Sequence, residues 1–200
     1  MSASNVILSV LSLLVSISSF ADPIERKKYN WPQEPRSVIG IKLGVPAADS
    51  KLPACIEPSA SNGYALPKAT CLYSDDSLGV QRIDGLPWKT LRITGNVFLF
   101  EGKVKSIHFD IHHGDFPEFS QMLIERYGKP MKIIGGAVQT YGGAELPAKT
   151  MEWHGEKTLI TAYERYNKID RSLIVFSDAG MLNKSIELDK KNIESGASSF

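Results

Sequence analysis

The fold is decided by one stretch of the sequence, GKVKSIHFDIHHGDFPEFSQMLIERYGKP, residues 102–130. Its first part alternates over 104–112, so that Ser, His and Asp side chains fall on one face of a strand and mainly Ile and Phe fall on the other. Glu101 and Gly102 form a two-residue turn that joins this strand to an extended segment at 97–100. The alternation and the turn together predict a β-hairpin.

A helix is predicted directly after this strand, over about residues 115–127. Asp115 is the predicted N-cap with Glu118 as its capping-box partner, and Gly128 is the predicted left-handed residue at the C-terminal end. Pro130 prevents continuation of the helix. One side of the helix carries an apolar stripe, made of Phe116, Phe119, Leu123 and Tyr127. We therefore expect this helix to pack on a sheet.

The rest of the chain favours strands. A first strand is predicted over 38–43. Four segments after the helix, separated by turns, predict an antiparallel meander: 132–140, 150–154, 158–166 and 171–177. The expected fold class is α+β, a mostly antiparallel sheet made of the hairpin and the C-terminal meander, with one principal helix packed on one face.

One globular domain is expected over residues 38–180. An extended lead-in is predicted before it at 22–37, where prolines and charged residues replace apolar periodicity. A polar C-terminal tail is predicted at 181–200, with fraying beyond about Asn192.

Residues 1–21 are typical of a cleavable signal peptide. An uncharged apolar run extends from Val6 to Phe20, and the small residues Ser19 and Ala21 fit cleavage after Ala21. The segment before this run has no Lys or Arg, which leaves an uncleaved anchor or a buried apolar helix as alternatives. No cysteine stands at the cleavage point, so a lipid anchor is not expected. We expect a soluble mature protein without a stable membrane anchor, periplasmic or secreted, with a bacterial periplasm preferred.

The two cysteines, Cys55 and Cys71, are expected to form a disulfide, because an even cysteine count in an exported chain favours pairing. Closing a loop of about 16 residues contributes on the order of 3 kcal/mol in the chain-entropy model. The enclosed segment is rich in Pro, Ser, Gly and Asn and has little apolar surface to order it. The spacing fits neither a CxxC redox motif nor a zinc-finger pattern, which disfavours a metal or redox role for the pair.

Charge and motifs narrow the function classes. The net charge is +1, and no clustered basic surface predicts a nucleic-acid partner. No GxSxG motif is present, and the glycines of IIGGAVQTYGGAELP, residues 133–147, lack the pattern of a phosphate loop and are interpreted as bulges and turns. No cofactor is expected.

His108, Asp110 and His112 are the candidate metal ligands. Their spacing of two residues directs all three side chains to one face of the predicted strand, with the residue types of a two-His-one-carboxylate site. The alternative is an ordinary polar face of an exposed strand. Side chains two residues apart lie roughly 7 Å from each other, so a shared metal would need a bulge.

Two other surfaces are candidates. Glu152, His154 and Glu156 alternate along a strand and have acid–base capacity, although such a patch is more often the wet face of a hairpin. Trp88, next to Pro87 in a predicted loop, is the candidate recognition aromatic.

The function expected is a non-catalytic binding or accessory module whose partner is another envelope protein or a small ligand. The alternative is a small periplasmic hydrolase or metal-dependent enzyme that uses the strand of the candidate metal ligands.

Overall fold

The structure is a computed structural model that describes residues 31–55, 69–75, 79–88 and 91–197. The predicted signal peptide with its cleavage site at Ala21, and the lead-in as far as residue 30, lie outside the described residues. So does the interior of the disulfide loop, 56–68.

The described residues form ten strands and two α-helices. The strands before the first helix are β1 (Ser37–Val38), β2 (Ile41–Lys42), β3 (Cys71–Asp75), β4 (Val80–Trp88), β5 (Leu91–Phe100) and β6 (Lys103–His112). After α1 (Phe116–Tyr127) come β7 (Lys132–Gln139), β8 (Glu145–His154), β9 (Thr158–Tyr163), β10 (Arg171–Asp178) and α2 (Ala179–Ala197). Short 3-10 turns lie at Ala47–Asp49 and His113–Asp115.

Eight of the strands form one antiparallel sheet in the order β3-β4-β5-β6-β10-β9-β8-β7. It consists of two four-stranded meanders whose last strands, β6 and β10, are neighbours at the centre. The segment with α1 therefore carries the chain from the centre of the sheet to its far edge, at β7. The predicted fold class, α+β with a mostly antiparallel sheet and a helix packed on it, is confirmed.

The predicted hairpin is β5–β6, and both turn residues, Glu101 and Gly102, have positive φ. Two-residue hairpin turns of this kind match the right-handed twist of the strands. The first strand predicted over 38–43 is wrong, because the chain reverses at Ile39 and Gly40, where φ is 48° and 88°. Alternation of apolar residues does not distinguish one strand from two short strands joined by such a turn.

The core lies between α1 and one face of the sheet, called the inner face, which carries Ile107, Phe109 and Ile111. The opposite face, which carries Ser106 and His108, is called the outer face. The predicted stripe of α1 is buried against the inner face, confirming the expected packing: Phe116, Phe119, Leu123 and Tyr127. Burial of each such large apolar side chain contributes about 1.5–3 kcal/mol.

The C-terminal end of α1 is closed by two indole groups. Gly128 has φ 82° and donates its N–H to Ile124 O, as expected for the predicted left-handed end. Trp31 Nε1 donates to Tyr127 O at 2.6 Å, and Trp153 Nε1 donates to Gly128 O at 2.7 Å. Both carbonyls would otherwise lack an intrahelical partner.

The side-chain cap predicted for Asp115 at the start of α1 is not formed. Asp115 has φ −89° and ψ −10° and its side chain makes no capping hydrogen bond. The reason is that residues 113–115 already form a 3-10 turn, so Asp115 has helical rather than extended backbone angles.

The lead-in is docked onto the domain in its described part, residues 31–36. Glu34 Oε1 accepts hydrogen bonds from the backbone N–H groups of Lys157 and Thr158, both at 2.6 Å. A β-carbon on Gly155 would overlap the Glu34 carboxylate, so a larger residue at this position would displace that carboxylate. The lead-in therefore closes over the β8–β9 turn.

A second helix, α2, occupies most of the region predicted as a polar tail at 181–200. Asp178 Oδ1 accepts the N–H of Met181 at 2.8 Å, which caps the helix, and Met181 and Ser185 are buried. Few of its residues are apolar, which explains why the sequence pattern did not indicate a helix. Neither helix in the described part of the chain is long and apolar enough to cross a membrane.

Candidate functional site

His108 lies on the outer face of β6, at the centre of the sheet. Its Nε2 is 3.0 Å from Ser106 Oγ, and its ring centroid is 4.3 Å from that of Phe98. Burial lowers the pKa of His108 to about 4, with a smaller contribution from the charge of Lys105. The imidazole is therefore neutral at physiological pH.

The other two predicted metal ligands are engaged elsewhere. Asp110 is exposed and forms an ion pair with Arg171 on β10 at 3.2 Å. His112 Nδ1 accepts the backbone N–H of Gly114 at 3.1 Å and so caps the turn before α1. All three side chains lie on the predicted face, but they do not converge. Among the described residues, no group of three His, Cys, Asp or Glu side chains could hold a metal ion.

Ser106 and His108 have the residue types of a nucleophile and its base. Ser106, however, is only 4% exposed, so a substrate cannot reach its hydroxyl. The nearby carboxylate, Asp110, is paired with Arg171 and does not orient the imidazole. The pair therefore acts as a hydrogen-bonded part of the sheet.

The predicted acid–base patch is partly assembled on β8. His154 Nε2 is 3.2 Å from Glu152 Oε2, whereas Glu156 lies in the turn that follows the strand. Burial raises the pKa of the nearby Tyr163, with further contributions from Glu152 and Tyr166. Neither of the two clefts described below is lined by Glu152 or His154.

The predicted disulfide between Cys55 and Cys71 is present. Cys71 is the first residue of β3, and Cys55 donates its N–H to Leu72 O, so Cys55 is held against this edge strand by both the disulfide and a backbone hydrogen bond. Trp88 is the last residue of β4, where it pairs with Leu91. It therefore does not lie in the loop that was predicted for it. The strand continues through a register shift between Ile83 and Leu86, and the predicted exposure of the Trp88 side chain lies outside what the structure describes.

Strand β7 is the other edge of the sheet, and in the described part of the chain only β8 pairs with it. Seven of its eight residues are exposed, and Ile133 is 61% exposed. No charged residue occurs from Ile133 to Ala144. Most exposed edge strands are short or carry charges that prevent pairing with another chain. β7 has a charge only at its first residue, Lys132.

The backbone pattern of β7 defines which groups face outward. Thr140 donates its N–H to Ala144 O at 2.9 Å, and hydrogen-bonded pairs alternate along an antiparallel ladder. Even-numbered residues therefore bond to β8. The odd-numbered residues, called the free-edge residues, direct their N–H and C=O groups away from the sheet: Ile133, Gly135, Ala137 and Gln139.

A cleft of about 690 Å³ adjoins the end of β7. It lies between the β7–β8 turn and the β9–β10 loop, and it has two tyrosines, two apolar side chains and two basic side chains but no carboxylate in its lining. These residues are Val138, Gln139, Thr140, Tyr141, Arg165, Tyr166, Asn167, Lys168 and Ile169. Tyr141 is fully exposed and Tyr166 and Ile169 are about half exposed, so the apolar lining is open to solvent.

A second, smaller cleft of about 210 Å³ lies between α1 and the inner face. Its lining is almost entirely apolar and includes Ile39, Met122 and Phe119. Ile39 is a β-branched residue with positive φ, a strained conformation. This cleft is a gap in the core next to the β1–β2 turn.

The sequence predicted β7 as a strand but not as an exposed edge. Two features of the sequence could have indicated an exposed edge: the absence of charged residues over 133–144, and apolar residues on both faces of the predicted strand. Gly135 and Gly136 were interpreted as part of bulges or turns, but both lie inside the strand.

No protein-family model, no curated protein and no solved structure matches this chain. Among the described residues, six of the eight exposed large apolar side chains lie at or next to β7 or in the adjoining cleft, and the other two, Leu188 and Ile193, lie on α2.

Proposed function

We propose that this protein is an exported, non-catalytic binding protein that recruits an extended segment of another envelope protein by adding it as a strand to β7. In this mode of recognition, backbone hydrogen bonds provide affinity and the neighbouring side-chain pockets provide selectivity. The observation that carries the proposal is the exposed, almost uncharged edge of eight residues.

The compartment is part of the proposal. The apolar run before Ala21 and the bonded pair Cys55–Cys71 both support export to an oxidising compartment, with the periplasm preferred. N-terminal sequencing of the protein isolated from the periplasm should begin at Asp22. A protein that begins at Met1 would contradict cleavage.

A different protein fits the edge better than a second copy of the chain. Symmetric antiparallel pairing of two β7 strands about their centre places Gly135 opposite Gly135 or Ala137. Glycine and alanine provide little of the cross-strand packing that stabilises a sheet. The same arrangement brings Lys132 of one copy towards Lys168 of the other, which is unfavourable.

The blocking variant follows from the backbone pattern. Ala137→Pro removes one outward N–H and places a ring against the incoming strand, while the bonds from β7 to β8 stay intact. Ala137→Val is the matched control, because it keeps the N–H and favours an extended backbone. Thermal unfolding of both variants verifies that the domain is folded.

The test compares complexes recovered from envelope extract with wild-type protein and both variants. Hydrogen exchange of the recovered complex should show protection at the free-edge residues, and Ala137→Pro should weaken binding about tenfold or more. Recovery that is insensitive to Ala137→Pro, or protection confined to other strands, contradicts the proposal. A stable homodimer that dissociates in Ala137→Pro would contradict the choice of partner.

A further inference from the structure

We infer that the segment bound by β7 has an uncharged centre of about six residues and a carboxylate on each side, with a large apolar side chain at the end that enters the cleft. This inference rests on the proposed function and names the chemistry of its partner. It is carried by the distribution of charge along the edge.

The free edge is uncharged in the middle and basic at both ends. Lys129 and Lys132 precede and begin β7, and Arg165 and Lys168 line the cleft at the other end. Both ends of a bound strand therefore meet cations, whether it runs parallel or antiparallel to β7. Two carboxylates of β8 lie opposite the ends of β7, Glu145 opposite Gln139 and Glu152 opposite Lys132. The Glu152 carboxylate contacts His154 Nε2 at 3.2 Å, and neither carboxylate forms a salt bridge with a lysine in the described part of the chain.

The cations at the two ends of the edge differ in whether their donor groups are already bonded within the protein. Arg165 donates Nε–H to Pro147 O at 3.1 Å and a second N–H to Ile169 O, so its guanidinium holds the β9–β10 loop in place. Within the described residues, the ammonium groups of Lys132 and Lys168 form no salt bridge. Lys129 also forms no salt bridge among the described residues, so these three lysines are the cations that a ligand can pair with.

The cleft is continuous with the strand. Val138 and Gln139 belong both to β7 and to the lining of the cleft, so a segment paired with β7 reaches the cleft without a turn. Tyr141, Tyr166 and Ile169 offer apolar and aromatic surface there. A large apolar side chain buries most area against this lining, and a carboxylate beside it meets Lys168.

The lysine pairs contribute more to selectivity than to affinity. Exposed ion pairs contribute little each, and complementary charge mainly accelerates association and disfavours wrong partners. Binding should therefore weaken as salt concentration rises. Neutralising both Lys132 and Lys168 should weaken binding about fivefold to tenfold.

The experiment is selection of random displayed 12-residue peptides on the wild-type protein, with removal of those that also bind Ala137→Pro. Selected peptides should have an uncharged, β-prone centre, acidic residues on both sides and one large apolar end residue. Synthetic versions are then measured against wild type, the double variant Lys132→Gln/Lys168→Gln, and the control Lys184→Gln, which changes an exposed lysine of α2. Only the double variant should lose affinity, and replacing the peptide's Glu with Gln should have the same effect.

The outcomes separate this inference from the proposed function. Peptides that depend on Ala137 but lack acidic flanks would overturn the inference and leave strand addition at β7 standing. If every peptide that binds wild type also binds Ala137→Pro and is removed, or if no peptide is selected at all, both the inference and the proposed function are overturned. Equal loss of affinity in Lys184→Gln and in the double variant would also overturn the inference, because it would indicate a general charge effect.

Discussion

Lowering the pH should destabilise the domain through His108, and the size of this effect follows from its position in the sheet. The pKa of His108 is lowered to about 4 in the folded protein, from an ordinary 6.5, mainly by burial. As the pH falls below 6.5, the unfolded chain binds a proton at this residue while the folded protein does not. The contribution of neutral His108 to stability is therefore present above pH 6.5 and is lost as the pH falls towards 4.

The magnitude is bounded by the pKa difference. A change from 6.5 to about 4 corresponds to about 3 kcal/mol if the full difference is realised. The ring is partly exposed, so solvent screens part of the effect, and we expect about 1–2 kcal/mol. His108→Gln keeps a polar group near Ser106 and removes the titration.

The assay is urea unfolding of wild type and His108→Gln at several pH values between about 7 and 4. The difference between their unfolding free energies cancels the titration of carboxylates common to both proteins. As the pH falls from about 7 to 4, the unfolding free energy of wild type should decrease by about 1–2 kcal/mol relative to that of His108→Gln. A difference that stays constant with pH, or that grows in favour of wild type at low pH, would refute the assigned environment of His108.

Two further predictions concern the parts that hold the domain together. Gly155→Ala should displace the Glu34 carboxylate and destabilise the protein by about 1–3 kcal/mol in urea unfolding, because two backbone N–H groups lose a charged acceptor. Replacing Cys55 and Cys71 by serine should lower the unfolding free energy by about 2–4 kcal/mol.

The controls for these two predictions are available in the same chain. Gly142→Ala introduces a β-carbon at ordinary contact distance and should change stability by much less than Gly155→Ala. Equal effects at the two glycines would contradict the role given to Glu34. For the disulfide, reduction of wild type should reproduce the serine variant, and a stability unchanged by reduction would contradict its contribution.

The sequence predicted best what local signals determine. The alternation over 106–112, the Glu101–Gly102 turn and the glycine after α1 each depend on a few neighbouring residues, and each matches the structure. The alternation is wrong at Val104, which is buried in the core because the register of β5 and β6 shifts between Phe98 and Leu99. The placement of β10 beside β6 could not be predicted in this way. It depends on pairing between residues more than sixty positions apart, such as Phe109 and Ile174.

The candidate site was predicted only in part, for the same reason. Period-two spacing placed His108 and Asp110 on one face correctly, but their partners, Phe98 and Arg171, come from neighbouring strands that the spacing does not specify. The exposure of β7 has the same origin, because only the strand order makes it an edge. The end of α1 likewise depends on Trp31 and Trp153, which are distant in sequence.

Amide hydrogen exchange of β7, measured residue by residue by NMR in the free protein, tests the central claim most directly. The free-edge residues Ile133, Gly135, Ala137 and Gln139 should exchange rapidly, because their N–H groups face solvent. Ile134, Gly136 and Val138 should exchange much more slowly, because they donate to β8. Equal protection of both sets would show that another part of the chain or a second copy already covers this edge, and would contradict its proposed role in binding.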